Sequence, residues 1–320
     1  MLVWTPGGAA ELMALAPGVA VALLIVAGVW GSAFPMIKIG LEDFSAPHFT
    51  LLRHLVASLT FVPLLLLFKA RLLPRRSDVP YFALLGFLGF FLYHLTLNYG
   101  SERVSAGAAS LIIATAPAIT AIIAALMTSD RLPPWGWFGS ALSFAGVALI
   151  VLGDGAAAGL GAGFNQYAWL IVIAAVATAF FSVLQRPLFT RYRPMEVAAF
   201  ATWIGTIPML LFLPGLAGAV TAAGRASLLA GVYNGVVPSA IAYTLFAFAL
   251  SRTPVTVVTA WLYLVPLFGL GAAWLLLGEV PTLLTAVGGA VAVAGVVVLN
   301  VAKQRAARRT AAASRAAVAH

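Results

Sequence analysis

One stretch of this chain occurs twice. Arg103–Asp130, RVSAGAASLIIATAPAITAIIAALMTSD, has a counterpart 149 residues later, RTPVTVVTAWLYLVPLFGLGAAWLLLGE. The same offset lays Arg103 on Arg252, Pro117 on Pro266, Asp130 on Glu279, Gly139 on Gly288 and Gly146 on Gly295. Each copy is an apolar run long enough to cross a bilayer, with a proline near its middle and an acid where it leaves the membrane. A duplicated membrane unit points to a transporter. With 62% hydrophobic and 8% charged residues, against roughly 25% charged in a soluble domain, the chain reads as an all-α integral membrane protein. Barrel strands would alternate apolar and polar positions in short segments, whereas these runs are continuously apolar.

Ten transmembrane helices are expected, at 18–40, 47–69, 79–100, 104–128, 134–153, 167–190, 195–216, 227–250, 254–277 and 281–302. A weakly polar lead-in, 1–17, precedes them. It lacks the basic start and small-residue cleavage site of a signal peptide, so the first segment is expected to be retained. Fourteen of the eighteen Lys and Arg fall on one side, in the loops after spans two, four, six and eight and in the tail 303–320. The other side takes only Arg103 and Arg225. Both termini are therefore expected in the cytoplasm, in a cell inner or plasma membrane. Five spans per repeat is odd, so the second repeat, 167–302, enters the membrane inverted relative to the first, 18–153. A Gly- and Ala-rich linker, 154–166, joins them. Inverted repeats suit secondary transport because two similar halves can exchange roles as inner and outer gate.

Several of these residues resemble a known family. Trp30-Gly31-Ser32-x-Phe34 with Ile37-Lys38, the Pro47 to Arg53 entry into span two, the small-residue runs ending in Pro117 and Pro266, and the Gly278-Glu279 exit are together similar to the EamA-like drug/metabolite transporters. The first repeat departs from the Gly-Glu exit with Ser129-Asp130 but keeps the charge. The resemblance implies a ten-helix carrier of small metabolites, often an exporter, with a central cavity between its halves. It implies no particular solute.

Polar side chains within spans are costly and face the protein interior or water, which makes them the binding candidates. Trp30, Phe34 and Lys38 share a face of span one; Lys38 also reads as a snorkelling interface residue. Span two offers Arg53 and His54. Span three offers His94 and Asn98 beside Tyr93 and Tyr99. The second half contributes Gln185, Arg186, Asn234, Tyr243, Trp261 and Tyr263. Arg53 needs a partner or an aqueous cavity, and Glu42 or Glu102 is expected to supply the partner. Pro117 and Pro266 are expected as paired kinks that flex during alternating access. All nine carboxylates lie outside spans or at their ends, so a proton relay would have to run through His54 and His94; facilitated exchange needs none. Gly139, Ser143 and Gly146, matched by Gly288, Ala292 and Gly295, form small-residue faces for packing within a monomer or for a homodimer through spans five and ten. The polybasic tail suits anionic lipid.

Other classes lack their motifs. There is no phosphate-binding loop, no H-E-x-x-H, no G-x-S-x-G and no cysteine. No enzyme activity, catalytic residue, cofactor, metal or nucleic-acid partner is expected, only a small-molecule substrate and the bilayer. The function read from the sequence is export of amino acids or similar small, partly apolar metabolites. A non-transporting receptor or scaffold, or a lipid translocator, is the alternative. Arg53, His54 and the span-three polar ridge suggest tolerance for an anionic group such as a carboxylate.

Overall fold

The structure is a computed structural model that describes residues 16–127, 133–157, 165–253, 258 and 261–318. Asp130, Ser129 and Arg131 lie outside the described residues, as do most of the lead-in and part of the linker. Every regular element among the described residues is helical. The longer ones are α1 (Pro17–Gly40), α2 (Ala46–Leu67), α3 (Arg76–Ser101), α4 (Ala106–Ile113), α5 (Ala116–Met127), α6 (Pro134–Ala157), α7 (Ala168–Leu184), α8 (Pro194–Thr206), α9 (Leu216–Ala222), α10 (Arg225–Arg252), α11 (Leu264–Leu277) and α12 (Leu283–Val318). Among the described residues, seven helical segments are long and apolar enough to cross a membrane; Leu264–Leu277 and Leu283–Leu299 are shorter apolar helices. This is a multi-pass membrane protein. Its large exposed side chains, such as Leu59, Leu67, Leu211 and Leu275, are those that a hydrocarbon solvent covers.

The packing partners repeat under exchange of the two halves. α1 packs on α11 and α10; α7 packs on α5 and α3. α2 packs on α10 as α8 packs on α3, and the pairs α2–α8, α4–α11 and α6–α12 cross between halves. The α6–α12 contact is backbone to backbone. A Cβ on Gly139 would lie 2.5 Å from the Gly295 carbonyl oxygen, and one on Gly288 would lie 2.7 Å from the Ile150 nitrogen. The two small-residue faces therefore meet each other inside one chain, where glycine alone allows that approach.

Four backbone irregularities depart from the regular helices that the residue pattern predicts. α3 passes through a π-helical segment at Phe87–Leu92, and α10 does so at Gly235–Ala242, around Pro238. The fourth apolar run breaks at Ala114–Thr115, so Pro117 is the second residue of a new helix rather than a kink in a continuous one. Pro266 is likewise the third residue of α11, after a turn at 262–263. Proline is tolerated there because first-turn amides have no intrahelical acceptor. The tail also differs from a separate segment: residues 303–318 continue α12.

Candidate functional site

Where α1, α2, α3, α5, α7, α10 and α11 converge, they leave a cavity at mid-height with about 860 Å³ of atom-free space, its opening included. Its wall is mostly apolar and aromatic. Trp30 and Phe34 come from α1, Phe181 from α7, and Tyr243 and Phe246 from α10. Four-residue spacing puts Trp30 and Phe34 on one helical face. The Trp30 indole donates from Nε1 to the Pro238 carbonyl at 3.2 Å, and its ring lies 5.2 Å from Tyr243 and 5.0 Å from Phe246. That carbonyl belongs to the π segment of α10.

The polar part of the wall is small. Arg53 reaches it from α2, 2% exposed, and donates from Nη2 to Ser239 Oγ at 3.0 Å. Neither Glu42 nor Glu102 is its partner. Glu102 accepts the Ala46 amide at 3.2 Å, and Glu42 is exposed. The reason is geometric: those acids sit at the bundle end, whereas Arg53 points inward at the π segment. Tyr93 and His94 also line the cavity, with Pro117. Thr120, Thr178 and Ser182 line it as well and were missed by the sequence reading. Their signal was there: Thr178 and Ser182 stand four apart on the Ala-rich α7, one face of a helix. Ser182 Oγ donates to the Thr178 carbonyl and Thr120 Oγ1 to that of Ala116, both at 2.8 Å, leaving hydroxyl lone pairs for a solute.

Other expected site residues lie outside the wall. His54 packs behind it, its ring 4.6 Å from that of His94. His54 Nδ1 faces the Thr50 carbonyl at 2.8 Å and His94 Nδ1 the Phe90 carbonyl at 3.1 Å. A carbonyl only accepts, so in each ring Nδ1 is the donor. Asn98 donates to Thr50 Oγ1 at 2.7 Å and thereby ties α3 to α2. Asn234 donates to the Ala230 carbonyl at 3.0 Å at the start of the π segment, and Gln185 is buried at the end of α7. Trp261 packs against the Val19, Leu23 and Phe246 cluster, Tyr263 against Ala118 and Val296, and Pro266 is buried in α11.

Past Ile37 and Leu97, polar ties join the helices at the end carrying the α1–α2 loop. Lys38 Nζ donates to the Ser101 carbonyl at 3.1 Å. Asp43 accepts from Gly224 N at 2.9 Å and Ser227 Oγ at 2.7 Å. Asp154 accepts from Ser105 Oγ and Asn165 Nδ2, and Glu279 from Ala106 N at 2.9 Å, at the start of α4. At the opposite end Asp78 pairs with Arg191 at 2.7 Å and accepts from Tyr192, while Glu196 accepts from Arg71 N and Arg193 N.

The sequence pattern of the EamA-like transporter family matches residues 17–152 and again residues 165–301. This chain belongs to the EamA-like transporter family. An uncharacterized transporter of Bacillus subtilis, YdfC, is 38% identical over 272 residues, 85% of this chain and 87% of that protein. A protein of Streptantibioticus cattleyicolor named "Probable terminal-alkyne amino-acid exporter" is 37% identical over 279 residues, covering 87% of this chain and 92% of its own. One of Salmonella typhimurium named "Probable amino-acid metabolite efflux pump" is 30% identical over 290 residues, at 85% and 91%. A solved crystal structure shares the fold with a TM-score of 0.64 at 20% identity, over 89% of this chain and 98% of that one.

Proposed function

We propose that this EamA-like transporter is a secondary carrier that exports small, partly apolar metabolites, amino acids or related compounds among them, by alternating access. The carrying observation is the cavity: residues of both halves wall it, and cross-chain polar ties lie beyond it at the end carrying the α1–α2 loop. In this reading the chain is ten transmembrane helices in two inverted five-helix repeats, 18–153 and 167–302, with the linker 154–166 and the basic tail 303–320 between and after them. The irregularities support it, because they recur at the duplication's offset. Phe87 plus 149 is residue 236, inside the second π segment, and the break at 114 plus 149 is residue 263, in the turn at 262–263. Two segments with freed backbone groups in matching places are the expected hinges of such a carrier. Pro117 and Pro266, each opening the helix after a break, fix where those hinges end.

The membrane is the inner or plasma membrane, with both termini and the basic loops cytoplasmic. The end carrying the α1–α2 loop is then the outer one, and in this reading its ties hold it shut, so that the state loads from the cytoplasm. Partly apolar solutes suit the aromatic wall, and the names of the two exporter-like relatives support amino acids and their metabolites. Purified protein in liposomes preloaded with amino acids, nucleosides, sugars and cationic drugs is expected to release one solute class selectively, read by mass spectrometry. Release no faster than from protein-free liposomes, with folded protein, defeats the proposal.

A further inference from the structure

The cavity holds a cation and nothing to answer it. Two of the three guanidinium nitrogens of Arg53, Nε and Nη1, are buried without any hydrogen-bond partner, and the third reaches only a serine hydroxyl. No Asp or Glu lines the cavity. The ion pair found among the described residues, Arg191 with Asp78, lies at the end of the bundle. Asp43, Glu102, Asp154 and Glu279 are all occupied with backbone amides or hydroxyls at the end carrying the α1–α2 loop. A guanidinium does not shed its proton at cellular pH, and burying one unpaired is strongly unfavourable. Such a group is kept where a ligand brings the missing negative charge.

We propose that the cavity recognises apolar monocarboxylates and that an amino group is dispensable. The solute's carboxylate accepts from Arg53 Nε and Nη1, and its hydrocarbon body lies against Trp30, Phe34, Phe181 and Phe246. Carboxylate–guanidinium hydrogen bonds are charge-assisted and strong away from water. An ammonium group gains much less. It meets aromatic faces but no carboxylate, and Arg53 repels it. Among solutes with one apolar body, the acid alone is therefore favoured, the amino acid follows or equals it, and the amine or neutral amide lags. This rests on the transport reading for its biological meaning but not for its chemistry.

Isothermal titration of the purified full chain with four compounds of one body tests it: 3-phenylpropionate, L-phenylalanine, phenethylamine and 3-phenylpropanamide. Phenylpropionate is expected to bind at least as tightly as phenylalanine, and both more tightly than the amine and the amide by on the order of tenfold to a hundredfold. Arg53→Gln should erase that margin. The ranking within the native protein decides the matter even where the variant does not fold. An amine or amide that binds as tightly as the acid overturns the proposal, as does phenylalanine binding with no binding of phenylpropionate, or no binding of either acid. Phenylalanine release from proteoliposomes, measured alongside, separates the two ideas. Acid-selective binding without release removes transport and keeps the carboxylate site, and release without acid selectivity does the reverse.

Discussion

At the scale of single residues, the charged groups of this chain divide by what answers them. Asp43 lies in the loop between α1 and α2, outside the membrane-spanning segments. The Ser227 hydroxyl, and after it the Gly224 amide, hold its carboxyl below the ordinary value of 3.8, with desolvation opposing. A carboxyl depressed on folding contributes stability above its unfolded value and loses that contribution as pH falls through the folded one. Native protein is therefore expected to melt higher than Asp43→Asn at pH 7, and the gap should close progressively as pH falls below 3.8; a gap that persists at pH 2.5 would show that the tie does not depend on charge. Arg53 is the opposite case, a charge whose only protein partner is a neutral hydroxyl. That it sits in the membrane was legible from its place in an apolar run. That its partner is Ser239 was not, because 186 residues separate the two and the contact exists only once α2 lies on the π segment of α10.

Among the elements, small residues and backbone breaks decide what can approach what. The seam between α6 and α12 leaves no room for a side chain: a Cβ on Gly146 would lie 2.6 Å from the Gly288 carbonyl oxygen. Gly146→Val is expected to cost about 3 kcal/mol and to lower the melting temperature in detergent by several degrees. Gly271, inside α11 with nothing within 4 Å of its added Cβ, is the control. Gly271→Ala should leave the melting temperature unchanged or raise it slightly, since alanine is the better helix former by about 1 kcal/mol. Both seam faces were legible as matched triplets of small residues. So was the course of the apolar runs, because hydrocarbon demands about 20 apolar residues in a row and composition reports that directly. The π segments were not legible. A π turn is a change of backbone hydrogen-bond register, and the residues that host it, Phe87–Leu92, are the same apolar types that would build a regular helix. The prolines gave a partial signal: they mark the broken regions correctly, but a proline inside a helix and one in the first turn of the next look alike in sequence.

On the scale of the whole molecule, in the orientation and transport cycle proposed above, the ties at the outer end set the balance between states. Glu279 crosses from the second half to the N-terminus of α4 in the first, where it accepts the amides of Ala106 at 2.9 Å and Gly107 at 3.4 Å. A carboxylate there is favoured both by the hydrogen bonds and by the positive end of the helix dipole, together worth about 1 kcal/mol or somewhat more. Glu279→Gln keeps the shape and removes the charge, so it should weaken the closed outer end selectively and multiply the outward-open population several-fold. The chain contains no cysteine, which gives single reporters a clean background. Leu97→Cys lies in the cavity wall toward the tied end, and Thr120→Cys lies toward the other. With a membrane-impermeant maleimide added outside, Leu97→Cys is expected to react slowly in the native background and several times faster with Glu279→Gln, while Thr120→Cys labels readily from the cytoplasmic side of inverted vesicles in the native background. An unchanged Leu97→Cys rate would mean that the Glu279 tie holds α4 in place without gating the cavity. Labelling of both cysteines from outside in the native background would contradict an outer end that is closed in this state.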